Sequence, residues 1–533
     1  MRNHRRLGLA SLLVSITLLA SACAPAGQTP QSSQGASGAG SSAEISFQLY
    51  QKPTSFDPFH AVTYTDAELA ALQFLPLLSY QDGKYIPRLA KSWASSDAQN
   101  FTIVLNDAKW SDGSPITAND VAFTFETYLN GKVAAILGGP LAIIQGAADF
   151  KAGTATSVSG LQVVDDKTLK IALTTPNLAF LASITEMYIV PKAVYSGIAP
   201  EQLKGNEALR SPSLSSGAYM FSRWVSDDSV EFVANPNALY KAQAAKLFAK
   251  YLTGDVAEAQ LQTGEIDIAD VPATDVKSLK DKGVTIVTKP GNKVMTLHTA
   301  LPNGKLADKR VRQAIMYAID RKAIIDSVLA GNGKIAGSML FAPDWAQYPQ
   351  QNDYAYNPDK AKALLAEAGW KADTKVQLDI IPGQADRDAV FRIIVGELQA
   401  VGIDAVITTH QSAETSAMLQ ANAFDLLITP LTMGVPEPAT INNRELCDQR
   451  APVGINITGY CNPALDKLLL EGMKTTDQAK RQDIYQQVTK ILNEEVPQFP
   501  LYVADLNTGT SKTIKGFDNQ PNPVTVVADK WSK

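Results

Sequence analysis

The side chains able to ligate a metal or carry covalent chemistry are few in this chain, and their spacing decides against both. His4 falls among the first residues; His60, His298 and His410 stand alone, none with a partner at metal-ligand spacing. They read as surface or hydrogen-bonded core histidines. Gly331-Asn-Gly333-Lys-Ile-Ala-Gly337 is one residue off the G-x-G-x-x-G fingerprint and follows a helix instead of a strand, so no dinucleotide is expected there. No Walker A run, H-E-x-x-H pair or nucleophile elbow is present. Glycosidase chemistry would need two carboxylates about 5–10 Å apart, a separation that no sequence displays. A secreted hydrolase is therefore the reading from another class, and the lack of a nucleophile motif stands against it. The expectation is no enzyme, no cofactor and no metal.

Cys447 and Cys461 are not spaced as C-x-x-C, which argues against a redox pair. Outside the cytoplasm, two thiols in a short loop invite a disulfide. Closing a loop of about 15 residues contributes roughly 3 kcal/mol in the chain-entropy account. Two buried free thiols are the other reading, and a bridge is the expectation.

The third cysteine belongs to the segment that addresses the chain. Arg2, Arg5 and Arg6 form a basic start, and Leu7 to Leu19 is an apolar run too short to span a bilayer with these flanks. It ends in Ala20-Ser21-Ala22-Cys23. Ala20-x-Ala22 fits ordinary signal cleavage. Small residues directly before Cys23 also resemble a bacterial lipobox, although Leu is commoner where Ala20 stands. A cysteine at that junction favours lipidation at Cys23, with residues 1–22 as the signal peptide. Residues 24–43 are Gly, Ser, Ala, Gln and Pro with little to bury, hence a flexible tether reaching about 25 Å.

The body behind the tether reads as an ordinary globular α/β chain. Among 533 residues, 48 are basic and 53 acidic, a net charge of -5 that gives no basic excess for nucleic acid and no acidic tail. Phe101, Ile103 and Leu105 alternate as in a half-buried strand. Asp112-Gly113 and Ser114-Pro115 are turn chemistry. Thr117 stands at a helix N-cap with Asp120 able to reach back, and Val121, Phe125 and Tyr128 share the face that follows. Tyr64-Thr65-Asp66 opens an earlier helix, with Thr65 and Asp66 available as caps. Residues 158–164 and 168–173 flank Asp165-Asp166-Lys167 as a hairpin. Asp320 caps a short helix, and residues 359–369 form a helix closed by Gly369. Residues 376–381, 387–401 and 403–408 read strand, helix, strand, a βαβ unit.

Several of these stretches share one resemblance. Tyr85-Ile-Pro-Arg-Leu-Ala-Lys-Ser-Trp93, Phe101–Leu105 and Trp110-Ser-Asp-Gly-Ser-Pro-Ile-Thr-Ala-Asn-Asp-Val121 come in the order of the family 5 extracellular solute-binding proteins. These are the dipeptide- and oligopeptide-type binding proteins of bacterial ABC importers. Ser216–Trp224, Gln262–Ile268, Lys309–Ile325 and Glu495–Tyr502 are similar to later blocks of that family. The resemblance runs from about Glu44 to the end.

It implies a two-lobed periplasmic-binding-protein-like fold of the large, three-subdomain type, with a hinge and an interlobe ligand cleft. By that likeness lobe one is residues 44–293, with an extra subdomain at about 75–210. Lobe two is 294–501, and 502–533 return to lobe one; crossovers near 291–297 and 497–502 would be the hinge. The implied function is capture of a small solute, short peptides first, outside the cell and delivery to a membrane permease by hinge closure. ATP is hydrolysed by a partner subunit. A monomer anchored to the cell membrane by its lipid is expected, on the periplasmic side if there is an outer membrane. A sugar, opine or metal chelate is the alternative ligand, and a lipid-anchored sensor the alternative role.

In peptide-binding relatives an acid in an Asp-rich loop after a strand holds the peptide ammonium. The matching strand is Phe424–Thr429, the usual Trp and first Asp are absent, and Glu437 is the only acid near the pattern. Ligand partner and solvated loop charge both fit it. Arg387 could hold a carboxylate or be a surface helix arginine. Trp345 and Tyr348 fit stacking or lid packing, and Tyr64 is the candidate from lobe one.

Overall fold

The computed structural model describes residues 42–533, apart from 62, 82–83, 227, 338–343, 381–384, 411, 433–434, 436, 453 and 520–523. The leader, Cys23 and all but the last two tether residues lie outside the described residues. No helix among the described residues is long and apolar enough to cross a membrane.

One mixed sheet of eleven strands carries the body. Its first strand, Glu44–Leu49, buries Ile45, Phe47 and Leu49 by simple alternation. Lys246–Tyr251 lies parallel beside it and Ser229–Ala234 and Tyr219–Ser226 continue antiparallel. On the other flank Lys375–Ile380 pairs parallel with Asp404–Thr409 across the helix Ala385–Ala400, the βαβ unit that the sequence pattern predicts. Two long strands, Thr285–Thr299 and Gln498–Thr510, join the flanks. They pair antiparallel, and the register breaks between Pro290 and Val294. Residues 285–290 thus face 505–510, while 294–298 face 498–503.

Two large apolar cores sit on this frame. The first gathers side chains from Ile45 to Ala249 and takes in Ile268, Ala528 and Trp531; the second runs from Leu297 to Tyr502. Trp531 meets Phe47 edge-on at 5.6 Å, so the last residues of the chain close the first core. Burial of this kind, about 25 cal/mol per Å² of apolar surface, is the main term holding each core.

The local predictions around the turn Asp112-Gly113 hold. Gly113 has φ +91°, and the Ser114 amide donates to Asp112 Oδ1 at 2.9 Å. Asp120 Oδ2 accepts from the Thr117 amide at 2.9 Å and from its hydroxyl at 3.1 Å. Val121, Phe125 and Tyr128 of the helix Ala118–Leu129 are buried. The helix Tyr64–Gln73 is capped by Thr63 together with one of the two expected residues, Asp66. Thr63 is the extended residue before it, and its hydroxyl accepts from the Asp66 amide at 3.1 Å. Thr65 instead accepts from the Gln51 amide at 3.0 Å, and Asp66 Oδ1 accepts from the Thr54 hydroxyl at 2.8 Å. Asp66, three residues past Thr63, also accepts the Thr63 hydroxyl through Oδ2 at 2.8 Å and so takes part in the cap, whereas Thr65, two residues past it, ties down the preceding loop.

Candidate functional site

A cavity of about 380 Å³ opens where the two long strands change register. Tyr50 and Gln51 border it just after the first strand, Asn292 and Lys293 from within the register break, and Thr432 from the end of the strand Leu426–Thr432. The volume is that of a small-molecule site. Its polar wall is built by local geometry. Gln48 points away from the core-facing Phe47, donates through Nε2 to the Leu252 carbonyl at 2.8 Å, and accepts the Asp270 amide at 3.0 Å. Asp270, at the end of the short strand Ile268–Asp270, is thereby set against the cavity.

The charges there are mostly acidic. Glu68, on the helix Tyr64–Gln73, is only 4% exposed and lines the cavity. Burial, and then the Asp270 charge, push its carboxyl well above the usual range. Asp270 is exposed as a residue, yet its carboxyl sits among enough protein atoms to be raised by desolvation, with Lys293 and a hydrogen bond from Thr508 working the other way. Asp505 is raised by burial against the charge of Lys334. The cavity thus brings together three carboxyls and, among its described lining residues, one cation, Lys293.

The residues singled out from sequence lie elsewhere. Glu437 is buried, caps the 3-10 helix Pro438–Ile441 through the Ala439 amide at 3.0 Å, and forms an ion pair with Arg481. It is no solvated loop charge, and its carboxylate is already held inside the protein. Trp345 is brought to the same place: the Arg481 guanidinium lies 5.6 Å from its ring centroid and 5.3 Å from that of Tyr485. Burial, and then the Glu437 charge, raise the hydroxyls of Tyr80 and Tyr85. The hairpin Leu78–Gln81 with Lys84–Pro87 thus abuts this cluster.

Tyr348 rests on the helix Gln478–Glu495, its amide donating to the Thr489 hydroxyl at 2.9 Å and its ring 5.6 Å from the Lys490 ammonium. Arg387 is half-buried near the start of its helix, with Nε unpartnered among the described residues. Tyr64 opens its helix, but its side chain lies outside the described residues, as does Cys23. Cys447 and Cys461 form a disulfide with Cα atoms 4.7 Å apart.

Each described histidine has a partner. His60 bridges Asp57 and the Val133 carbonyl, both at 2.7 Å; His298 meets the Thr429 hydroxyl at 2.9 Å; His410 meets Asp379 at 2.6 Å. Among the described residues no cluster of His, Cys, Asp or Glu is arranged to hold a metal. Glu68, Asp270, Lys293 and Arg481 escaped the sequence reading. A signal existed for Asp270, an acid inside the apolar run Ile268-Ala269-Asp270-Val271, where strands are depleted in Asp.

Residues 84–448 match the family described as bacterial extracellular solute-binding proteins, family 5 Middle. The chain is 31% identical over 485 residues to a Brucella melitensis protein whose name assigns it to ABC transporter peptide binding, covering 86% of this chain and 88% of that one. It is 26% identical over 497 residues to the dipeptide-binding protein of Escherichia coli, covering 88% and 91%. In fold it is similar to the ABC transporter substrate-binding protein CtaP of Listeria monocytogenes, with a TM-score of 0.80 at 22% identity over 92% of this chain and 99% of that one.

Proposed function

The chain belongs to the family 5 bacterial extracellular solute-binding proteins, and from that membership we propose that it captures short peptides outside the cell for the permease of an ABC importer. The cavity of about 380 Å³ at the strand crossing carries the reading, because Thr432 from residues 294–501 borders it together with residues of 44–293 and 502–533. The names of the relatives favour peptides over other solutes.

The mechanism is closure of lobe two (294–501) onto lobe one (44–293 with 502–533) about the register break in the long strands, the extra subdomain spanning about 75–210. A ligand touching both sides favours the closed form, because only that form makes both sets of contacts. A hydrogen bond from the Leu178 amide to the Met473 carbonyl at 2.9 Å supports such closure. Glu437, Arg481 and Trp345 then lock the lobes through the Tyr80–Tyr85 hairpin. Arg387 is the candidate partner for a ligand carboxylate, with Tyr348 and Tyr64 as further candidate contacts. A lipid on Cys23 and the tether of residues 24–43 keep the body near the permease. The permease and its ATPase supply the energy for transport.

Native mass spectrometry of the protein purified gently from its own host tests the reading. Bound short peptides are the expected result. A single sugar, opine or metal chelate would overturn the peptide claim and keep the binding one.

A further inference from the structure

We propose that the carboxylates of Glu68 and Asp270 receive a cationic group of the ligand, a primary ammonium or a guanidinium. The proposal rests on the cavity being the ligand site. Glu68 is 4% exposed, and among the described residues its carboxylate accepts no hydrogen bond and forms no ion pair. A buried carboxyl without a partner is costly, and native structures leave few such groups unexplained. Here the unfilled side faces the cavity. Asp270 stands beside it, fixed through its amide by Gln48.

The groups facing the pair make the need one-sided. Asp505 adds a third acid to the lining, and Lys293 is the one cation among the described lining residues. Tyr50 adds a phenol at the mouth. Behind Glu68 lies Tyr188, whose hydroxyl is pushed up by burial and then by the charges of Glu186 and Glu68. Glu68 is buried beside the exposed Asp270, and burial first and the Asp270 charge second raise its carboxyl well above the usual range. An arriving cation works against both effects, so its binding favours the ionised carboxylate and the loss of a proton to the buffer. Glu437 cannot serve in this way, because Arg481 already holds it.

The cation has two sources in a peptide, the N-terminal ammonium and a basic side chain, and calorimetry with three probes separates them. Trialanine carries only the first, an N-acetylated Ala-Lys-Ala only the second, and N-acetyl-trialanine neither. At neutral pH the full chain should bind one of the first two at least about tenfold more tightly than the third, as expected for a hydrogen-bonded charge. In two buffers of different ionisation enthalpy, binding should show a net release of protons. Glu68→Gln should abolish the tenfold gap, and Asp270→Asn should narrow it.

Equal binding of all three probes by the wild type would overturn the cation site and leave the peptide reading intact. A gap that survives Glu68→Gln would also overturn it. Should that variant not fold, the proton count in the wild type decides, with no release counting against the proposal. If none of the three probes binds, the peptide reading falls and this inference with it.

Discussion

The guanidinium of Arg481 holds the carboxylate of Glu437 in the interior, both residues less than a tenth exposed. Two buried opposite charges are stable together and costly apart, because the survivor loses its partner without regaining water. Glu437→Ala should therefore lower the unfolding free energy by about 3–5 kcal/mol. Glu437→Ala combined with Arg481→Met should recover part of that loss. Urea unfolding followed by tryptophan fluorescence checks it, since Trp345 lies against the pair. A single variant as stable as the wild type would mean that the pair holds nothing.

What could be read from the chain follows the reach of each interaction. The Thr117–Asp120 contact spans one helical turn, and the residue types alone announced it. The same Asp120 also accepts the Lys192 amide at 3.0 Å, which no periodicity encodes. Glu437 was recognisable as the acid nearest a family pattern, but its partner comes from a helix that begins at Gln478. The strand–helix–strand unit was legible because its apolar spacing is local. The cavity was not, because it joins Glu68, Asp270, Lys293 and Asp505 from four separate elements.

Glu445 makes stability depend on pH. It is 2% exposed, and burial raises its carboxyl to about 8, with the Arg444 charge and a hydrogen bond from Gln498 opposing. The Gln498 amide donates to Oε1 at 2.9 Å, while Oε2 has no partner among the described residues. The folded state therefore holds a proton that the unfolded chain gives up near pH 4.3. Stability from this group is full below about pH 4.3, falls as the pH rises and is lost beyond about 8. Glu445→Gln should be more stable than the wild type at pH 8–9, roughly the range above that value. Denaturation midpoints across pH test this; identical pH slopes for the two proteins would refute it.

The Cys447–Cys461 bridge closes a span of 14 residues and lies beside Asp466, whose carboxylate accepts the Cys447 amide at 3.2 Å. Removing it frees the loop in the unfolded chain. Replacing both cysteines with serine should cost about 3 kcal/mol. Calorimetric unfolding of the double variant, beside the wild type with and without reductant, provides the check. Midpoints unmoved by either treatment would show that the loop is held by its packing alone.

Gly291 sits in the register break of the long strands, where a Cβ would lie 2.4 Å from the Ala504 carbonyl oxygen. Real Cβ atoms do not approach a backbone oxygen so closely, so an alanine there must push the two crossing strands apart. If that crossing is the hinge, the angle between the lobes changes with it. Gly291→Ala should then weaken ligand binding about tenfold, the expected size when the closed form loses about 1.4 kcal/mol. Small-angle scattering should show a smaller compaction on ligand addition than in the wild type. Unchanged affinity together with unchanged compaction would move the hinge away from this crossing.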